Sequence, residues 1–423
     1  MNEPVNVQEV PRTQGSQKTS WGLMVGLSAG HMVKHFYQQA FLLLIPSVKE
    51  ALLLNDVQVG IIGTVRTVGS SAMNVPAGMM ADLWRSKVGL ILASSLASIA
   101  VGYLLIGAFP TYWMLLLGVA VTGMGTSLWH APAFGTLAAV YPNMRATAMA
   151  VHRMGGNIGD SISPVAMGLI LGGVAFWGLE WTGLGWRAVS LVLVAPALLS
   201  ALLVLVGYGS RSGASGGGMP NVGAYFRAAQ GLLTNASVMG MVMLASVRAM
   251  AHGGLSIFLV LYMSEDLGFS AINVGFHVAL LSLFGIPASP VMGWASDRFG
   301  RRVVIVIGLS AIALLILALL PFGSGWAFTV ILALLGVFLY SVNPVMLAAA
   351  IEGADRGTEG SVAALMFTGQ ALFGAMAPVV AGFLREGFGM DGVFYYSGGI
   401  VAVIAIASVF LPMRRVVTEA AAP

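Results

Sequence analysis

Charged residues and cysteine are what this sequence has least of. Only 9% of its 423 residues are charged and none is cysteine, while 58% are hydrophobic. A soluble domain has roughly 25% charged and 45–50% apolar residues, so this composition excludes a water-soluble fold of such length. The absence of cysteine excludes disulfides, thiolate catalysis and cysteine-ligated metals. No P-loop sequence occurs, which argues against direct use of ATP, and no cofactor is expected.

Apolar segments recur along the whole chain. About 20 apolar residues are enough to cross a hydrocarbon core of roughly 30 Å, and we count twelve such segments. The sequence therefore predicts an all-α polytopic membrane protein with a lipid bilayer around it. The approximate limits of spans 1 to 12 are residues 21–46, 57–81, 88–108, 112–139, 146–175, 187–208, 235–262, 271–295, 303–321, 326–350, 360–384 and 392–412.

The spans form two groups of six. The segment 209–234 begins with a Ser/Gly-rich stretch that is typical of a flexible linker, so residues 20–208 and 235–412 are predicted to be two six-helix bundles. Residues 1–19 are polar and have no signal-peptide pattern, so span 1 is expected to remain as a helix. Residues 413–423 are predicted to be a second short tail.

Lysine and arginine in the loops are concentrated on one side. If the N-terminus is cytoplasmic, thirteen of them lie on the cytoplasmic side and three, Lys49, Arg187 and Arg385, on the other. The positive-inside rule then predicts a protein of the cytoplasmic membrane with the linker and both termini in the cytoplasm. The formal charge of +4 reflects this asymmetry and does not indicate a nucleic-acid partner. A monomer is expected.

Two copies of one loop pattern, about 215 residues apart, indicate that the halves are repeats. GMMADLWRSK runs from Gly78 to Lys87 between spans 2 and 3, and GWASDRFGRR runs from Gly293 to Arg302 between spans 8 and 9. Two parallel six-span repeats are the arrangement of one large transporter fold. The other matches near this spacing are Val57–Gly60 with Ile272–Gly275 and Pro164 with Pro378.

The repeated loop resembles the signature loop of the major facilitator superfamily, in which GxxxD is followed by GRR. The second copy matches fully at Gly293, Asp297, Arg298, Gly300, Arg301 and Arg302. The first copy keeps Gly78, Asp82 and Lys87 but has Leu83, Arg85 and Ser86 where the pattern has a basic residue, a glycine and an arginine. The resemblance covers nearly the whole chain and implies two pseudo-symmetric bundles around a central cavity. GGNIGDSISP in span 5 and HAPAFG in span 4 resemble, more loosely, the fosmidomycin-resistance branch of that superfamily.

The loop residues are candidates for gating. A carboxylate such as Asp82 or Asp297 can accept from basic residues or cap a helix N-terminus, and the resemblance implies that these loops stabilise the outward-facing state. Three acidic residues between spans 10 and 11 are candidate counter-partners: Glu352, Asp355 and Glu359. In the alternative interpretation the loop charges only anchor the topology.

Charges inside the spans are the best guide to substrate. Because each costs at least about 2.5–3.5 kcal/mol at a lipid-facing helix centre, they are expected to face a cavity. Helical spacing places polar neighbours on the same faces, and the resemblance implies that spans 1, 4, 7 and 10 line the cavity with spans 2, 5, 8 and 11 beside them. The five charges are Lys34, Arg66, Arg153, Asp160 and Arg248, and their polar neighbours are His31, His35, Gln38, Asn157 and His252.

Four cations against one acid predict a cavity for an anion. We expect a small organic carboxylate or phosphonate-like solute held by Lys34, Arg66 and Arg248, since guanidinium groups bind either one bidentately; the polar neighbours complete the predicted binding set. Asp160, with Arg153, is the candidate for proton coupling, because burial and a nearby cation act on a carboxylate in opposite senses. The histidines are alternative coupling groups. A purely structural charge network of Lys34, Arg248 and Asp160 is the competing interpretation.

The favoured function is secondary transport by alternating access, and not an enzymatic activity. A multidrug-type proton antiporter with a non-anionic substrate fits the same residues. A membrane-embedded enzyme would need a nucleophile, a metal cluster or an acid pair at one membrane surface, and a transporter-like sensor would need a soluble domain. His31 and His35 have metal-compatible spacing, yet no Cys and no intramembrane Glu accompany them, so no metal site is expected.

Overall fold

The computed structural model describes residues 21–141, 143–176, 179–208, 230–354 and 358–412. Both predicted tails, linker residues 209–229 and Asp355 lie outside the described residues. Apart from the connecting loops, the described chain is helical, with one short hairpin in which β1 (Val174–Phe176) pairs antiparallel with β2 (Leu179–Trp181).

The helices follow the predicted spans closely. Spans 4 and 6 are each divided into two helices, and spans 11 and 12 form one continuous element that bends at Gly389, where φ is 66°. In chain order the helices are Trp21–Ala51, Asp56–Leu83, the 3-10 turn Arg85–Lys87, Val88–Ala108, Tyr112–Leu128, His130–Val140, Arg145–Gly172, Trp186–Val192, Val194–Tyr208, Ala236–Leu261, the π-turn Tyr262–Asp266, Ala271–Phe299, Arg301–Ala318, Gly325–Glu352 and Glu359–Phe410.

Spans 2 and 8 begin in equivalent ways. Asn55 accepts a hydrogen bond from the Gln58 amide, while the Gln58 side chain accepts from the Asn55 amide, which forms a capping box. At the equivalent position Ser270 accepts from the Asn273 amide. Both caps satisfy amides that have no partner within their own helix, so the sequence repeat is reproduced as a structural repeat.

Hydropathy separates the helices into two kinds. Eight described helices are long and apolar enough to cross a membrane by length and composition, and the last of them, Ser361–Phe410, contains spans 11 and 12. Spans 1, 2 and 5 have 31, 28 and 28 residues but are less apolar, because they carry Lys34, Arg66 and Asp160. Polar helices at membrane depth must face protein or a water-filled cavity. The predicted twelve-span, all-α fold is confirmed.

Equivalent pairs of helices pack together in each half. Spans 1 and 5, 2 and 4, and 3 and 6 pack together in the first half, and spans 7 and 11, 8 and 10, and 9 and 12 pack together in the second. The two halves meet where span 2 packs on span 11 and span 5 packs on span 8. The fold is therefore two pseudo-symmetric six-helix bundles, as predicted.

The contact between the halves is itself duplicated. Gly60 of span 2 packs against the backbone carbonyl of Pro378 in span 11, and Gly275 of span 8 packs against the carbonyl of Pro164 in span 5. A Cβ at either glycine would collide with that carbonyl oxygen. We call these two sites the glycine–proline contacts. Only glycine permits so close an approach of two backbones.

Candidate functional site

Span 1 carries the densest group of buried polar side chains. His31, Lys34 and His35 share one face of the helix, as predicted, and His31 and Lys34 are only 4% and 2% exposed. Span 5 lies directly against this face because Gly156 has no side chain there: a Cβ would lie 2.8 Å from a carbon of the His31 ring. The glycines of span 5 thus form a packing face, which brings Asp160 of the same span close to the polar residues of span 1.

Two histidines from other spans complete this group. Lys34 Nζ lies 2.8 Å from His130 Nε2 and 3.4 Å from His35 Nε2. The His152 ring stacks on the His31 ring, with centroids 4.1 Å apart. We call His31, His35, His130 and His152 the histidine cluster. Lys34 is the cation beside these rings, and the histidine nitrogens are the atoms of the group that can bind a proton or a positive ion.

Asp160 joins the histidine cluster through His35. Its Oδ1 atom lies 2.9 Å from His35 Nδ1 and accepts from Gln39 Nε2 at 3.1 Å. Lys34 and Arg248, which the competing interpretation of the sequence joins to Asp160 in one charge network, do not contact it directly. The reason is that His35 and Gln39, one helical turn apart, are the residues of span 1 that face span 5 at this depth. Arg153, one of the predicted coupling residues, is exposed.

A cavity of about 240 Å³ lies between the two halves. Its polar lining consists of Gln39, Arg66, His252, Ser256 and Tyr340, and aliphatic side chains of spans 1, 7, 8 and 10 form the rest. Arg66 Nη2 donates to the backbone carbonyl of Gln38 at 2.9 Å, and its guanidinium lies 5.9 Å from the centroid of the Phe41 ring. These contacts hold the guanidinium at the cavity and leave donors for a ligand.

The second half contributes an incompletely bonded pair. His252 Nδ1 and Arg248 Nε are buried and have no hydrogen-bond partner among the described residues. Arg248 lies one turn from His252 and donates from Nη1 to the Leu339 carbonyl at 3.2 Å, but it does not line the cavity. Buried polar atoms without hydrogen-bond partners are costly in an apolar interior. A ligand, or a rearrangement that brings new partners to Arg248 and His252, removes this cost.

The predicted binding residues therefore fall into two connected groups. Arg66 and His252 line the cavity, whereas His31 and His35 belong to the histidine cluster, which Lys34 contacts. Gln38 contributes its backbone carbonyl to Arg66, and the Asn157 carbonyl accepts from Ser161 at 3.1 Å. Gln39 connects the groups, since it lines the cavity and also donates to Asp160. The sequence indicates this role through the spacing of four residues between His35 and Gln39, which places both on one face of the helix.

The complete signature loop is organised within the second half. Arg301 pairs with Asp297 at 2.6 Å and with Glu352 at 2.9 Å, and Arg302 donates to the Leu411 carbonyl at 2.7 Å. Glu352 was a predicted partner of these loops, but it belongs to the same half as Arg301. The side chains of Asp82, Arg85 and Glu359 lie outside the description, so the gating role of the loops stays a prediction.

The two repeated loops lie at the chain-end face, defined as the side where span 1 begins at Trp21 and span 12 ends at Phe410. The space beside Gly78 and Gly293 is open, with no other atom within 4 Å of where a Cβ would lie. The opposite side, where span 1 ends at Ala51, is the far face. The halves meet more closely there, because the glycine–proline contacts lie in that part of the molecule.

Five charged side chains connect the halves at the far face: Lys49, Asp56, Glu265, Asp266 and Arg385. Lys49 Nζ bridges Asp56 at 2.7 Å and Glu265 at 2.8 Å. Arg385 pairs with Asp56 at 3.1 Å, Glu265 at 3.0 Å and Asp266 at 2.7 Å, and its side chain is 6% exposed. Within the part of the chain that is described, no other ion pair joins the halves. We call this group the far-face network; no sequence pattern predicted it.

Comparison with known proteins places these features in a family. The profile of the Major Facilitator Superfamily matches residues 27–247 and 241–423. The chain is 22% identical to the fosmidomycin resistance protein of Escherichia coli (strain K12) over 421 residues, which cover 98% of each chain. Its fold is similar to that of the nucleoside transporter NupG, with a TM-score of 0.77, 15% identity and coverage of 92% of this chain and 99% of the other. A bacterial homologue of the human lysosomal transporter Spinster, in an inward-facing and occupied conformation, has a TM-score of 0.74 at 18% identity and coverage of 94% and 97%.

Proposed function

The chain belongs to the major facilitator superfamily and is a membrane transporter, and on this basis we propose that it moves a small organic anion by proton-coupled alternating access. Arg66 carries the argument for an anion. It is the charged residue of the cavity, its guanidinium is held in place by the Gln38 carbonyl, and no carboxylate is among the described lining residues. A carboxylate or phosphonate-like group matches the remaining donors of Arg66.

Proton coupling is supported by the path from the cavity to the histidine cluster. Gln39 lines the cavity and donates to Asp160, which is paired with His35, and His35 adjoins Lys34. An anion that binds beside Gln39 and Arg66 attracts the Gln39 amide, which removes one hydrogen bond from Asp160. Uptake of a proton by Asp160 compensates for this lost hydrogen bond, because the protonated carboxyl group no longer carries the charge that the Gln39 amide stabilised. Binding of anion and proton is then mutually favourable, as symport requires in either direction.

The proposed orientation follows from the charges. With both termini in the cytoplasm of the cell, as the distribution of Lys and Arg favours, the far face is the outer side of the cytoplasmic membrane. The far-face network then closes the outer side, and the open space beside Gly78 and Gly293 lies inside. This conformation corresponds to an inward-facing state of a monomeric transporter.

Ligand stabilisation tests the proposal. Purified protein is heated with a panel of organic anions, organic cations and neutral drugs at two pH values, and the unfolding temperature is measured. We expect stabilisation by carboxylates or phosphonates, stronger at the lower pH because anion and proton bind together. Arg66→Gln should abolish it, while Arg187→Ala, an arginine that donates to carbonyls of span 3 within one half, should keep it. Stabilisation by cations alone would contradict the proposal.

A second candidate is export of an apolar drug. Most of the cavity lining is aliphatic, for example Leu42, Leu255 and Leu335, and the relative in Escherichia coli is named for drug resistance. This candidate predicts that neutral, apolar compounds stabilise the protein and that Arg66→Gln retains the effect. The same heating experiment therefore separates the two candidates.

A further inference from the structure

Three histidine rings bring one nitrogen each close together in the first half. The Nε2 atoms of His31 and His35 are 3.1 Å apart, and one ring nitrogen from each of these residues and from His130 lies within 4.8 Å of the others. The sequence pattern contained only the first two, on successive turns of span 1. The third residue, His130, reaches them because span 4 packs against span 1. No spacing of residues along the sequence could predict it.

The other nitrogen of both span 1 rings is already engaged as a donor. His31 Nδ1 lies 2.8 Å from the backbone carbonyl oxygen of His152, an atom that only accepts, so Nδ1 carries the hydrogen. His35 Nδ1 lies 2.9 Å from Asp160 Oδ1, and an ionised carboxylate also only accepts. Histidines that bind metals are oriented in the same way, with the second nitrogen donating to a carbonyl or a carboxylate.

In neutral rings this arrangement places two lone pairs opposite each other. Two accepting nitrogens at 3.1 Å repel unless a proton or a cation lies between them. Zinc binds histidine nitrogen at about 2.0–2.1 Å with tetrahedral geometry, which separates two ligand nitrogens by about 3.3 Å. The spacing of His31 and His35 therefore fits one edge of a tetrahedral metal site.

Lys34 already supplies a cation beside these nitrogens. Its ammonium lies 2.8 Å from His130 Nε2 and 3.4 Å from His35 Nε2, and an ammonium has only donors. It occupies the lone pairs that a metal ion would use. We propose that His31, His35 and His130 bind one divalent ion of the zinc class and that Lys34 competes with this ion for the same nitrogens.

Buried nitrogens around the site support the proposal. Both ring nitrogens of His152 and Nδ1 of His130 are buried without a hydrogen-bond partner among the residues described. Buried nitrogens without partners are costly in an apolar interior, and a bound ion relieves part of this cost. His152 stacks on His31 and is fully buried, which makes it the candidate for the fourth ligand. Asp160, in contact with His35, offsets part of the added positive charge.

Metal titration of the purified full-length chain tests the site without reference to transport. After treatment with a chelator, the protein is titrated with Co²⁺, whose tetrahedral complexes absorb strongly in the visible range, and then with Zn²⁺ as competitor. We expect one ion per chain and the tetrahedral absorption. His31→Asn and His130→Asn should each lower the affinity at least about tenfold. His277→Asn is the matched control, since this buried histidine is bonded to Asn273 and Thr329 elsewhere and should leave the affinity unchanged.

The variant Lys34→Met tests the competition between the ammonium and the metal ion directly. Removing the competing cation should tighten metal binding at least about tenfold, because the ion no longer has to displace an ammonium or bear its repulsion. Binding that weakens in this variant would refute the competition. If neither the wild type nor Lys34→Met binds an ion, a shared proton separates His31 from His35 and the metal site is refuted. Thermal unfolding of each variant checks that it is folded, and anion stabilisation measured in chelator reports separately on the proposed transport function.

Discussion

Removing the guanidinium of Arg385 should open the far face. This side chain is 6% exposed and pairs with Asp56 of the first half and with Glu265 and Asp266 of the second. Its replacement by alanine removes these three pairs and leaves the three carboxylates with Lys49 as the remaining cation of the far-face network. Arg385→Ala therefore acts on the conformation in which the two halves are joined and has much less effect on one in which they are apart.

The size of the effect follows from the burial of the partners. Removing one partner of a fully buried ion pair costs about 3–5 kcal/mol, whereas exposed pairs contribute about 0–1 kcal/mol. Glu265 and Asp266 are 34% and 42% exposed, so we expect an intermediate value of about 2 kcal/mol. That energy corresponds to a change of about 30-fold in the ratio of far-face-open to far-face-closed molecules.

The absence of native cysteine makes this shift measurable by spin labelling. Leu53→Cys in the first half and Phe322→Cys in the second place labels on exposed positions of the far face, 91% and 56% accessible. A second pair, Ser86→Cys and Phe299→Cys, reports on the chain-end face. In Arg385→Ala the population with longer distances should increase at the far face and decrease at the chain-end face.

Arg187→Ala is the matched control for this measurement. Arg187 also lies at the far face, but it donates to the carbonyls of Gly107 and Ala108 within the first half. Its loss should lower stability without changing the ratio of the two conformations. If Arg385→Ala leaves both distance distributions as they are in the wild type, the far-face network does not hold the halves together and the reasoning is refuted.

Two further predictions concern the coupling path and the seam between the halves. Asp160→Asn should make anion transport into proteoliposomes independent of a proton gradient, since the amide cannot take up the proton. Exchange of anion for anion should continue. A response to the gradient equal to that of the wild type would show that another residue couples the proton. Gly60→Ala should shift the far-face labels towards longer distances because its methyl group meets the Pro378 carbonyl, whereas Gly399→Ala, which meets no atom within 4 Å, should not.

The membrane architecture could be predicted because it depends on local properties. Hydrophobic length defines each span, and the repeated loop with its equivalent glycine and proline positions identifies the two halves. The shared face of His31, Lys34 and His35 follows from helical periodicity alone. These features need no knowledge of how one helix packs against another.

The remaining features depend on packing between distant segments. Lys49 and Glu265 are 216 positions apart, and Arg385 and Asp56 are 329 apart, so no local pattern could pair them. His130 and His152 reach span 1 only because spans 4 and 5 lie against it. Gln39 rather than Gln38 meets Asp160 because the packing of span 5 selects one side of a helix on which successive residues are about 100° apart.

The glycine–proline contacts have a consequence for the origin of the fold. Each joins a glycine of one repeat to a proline of the other, and the equivalent residues are exchanged in the second contact. An interface in which one surface meets a second copy of itself in this reciprocal way is isologous, the arrangement that two-fold symmetric dimers use. A separate six-helix protein with Gly60 and Pro164 in their present places would carry both sides of the contact and could pair with its own copy before any gene fusion. The seam between the two halves is thus, in its geometry, a dimer interface within a single chain.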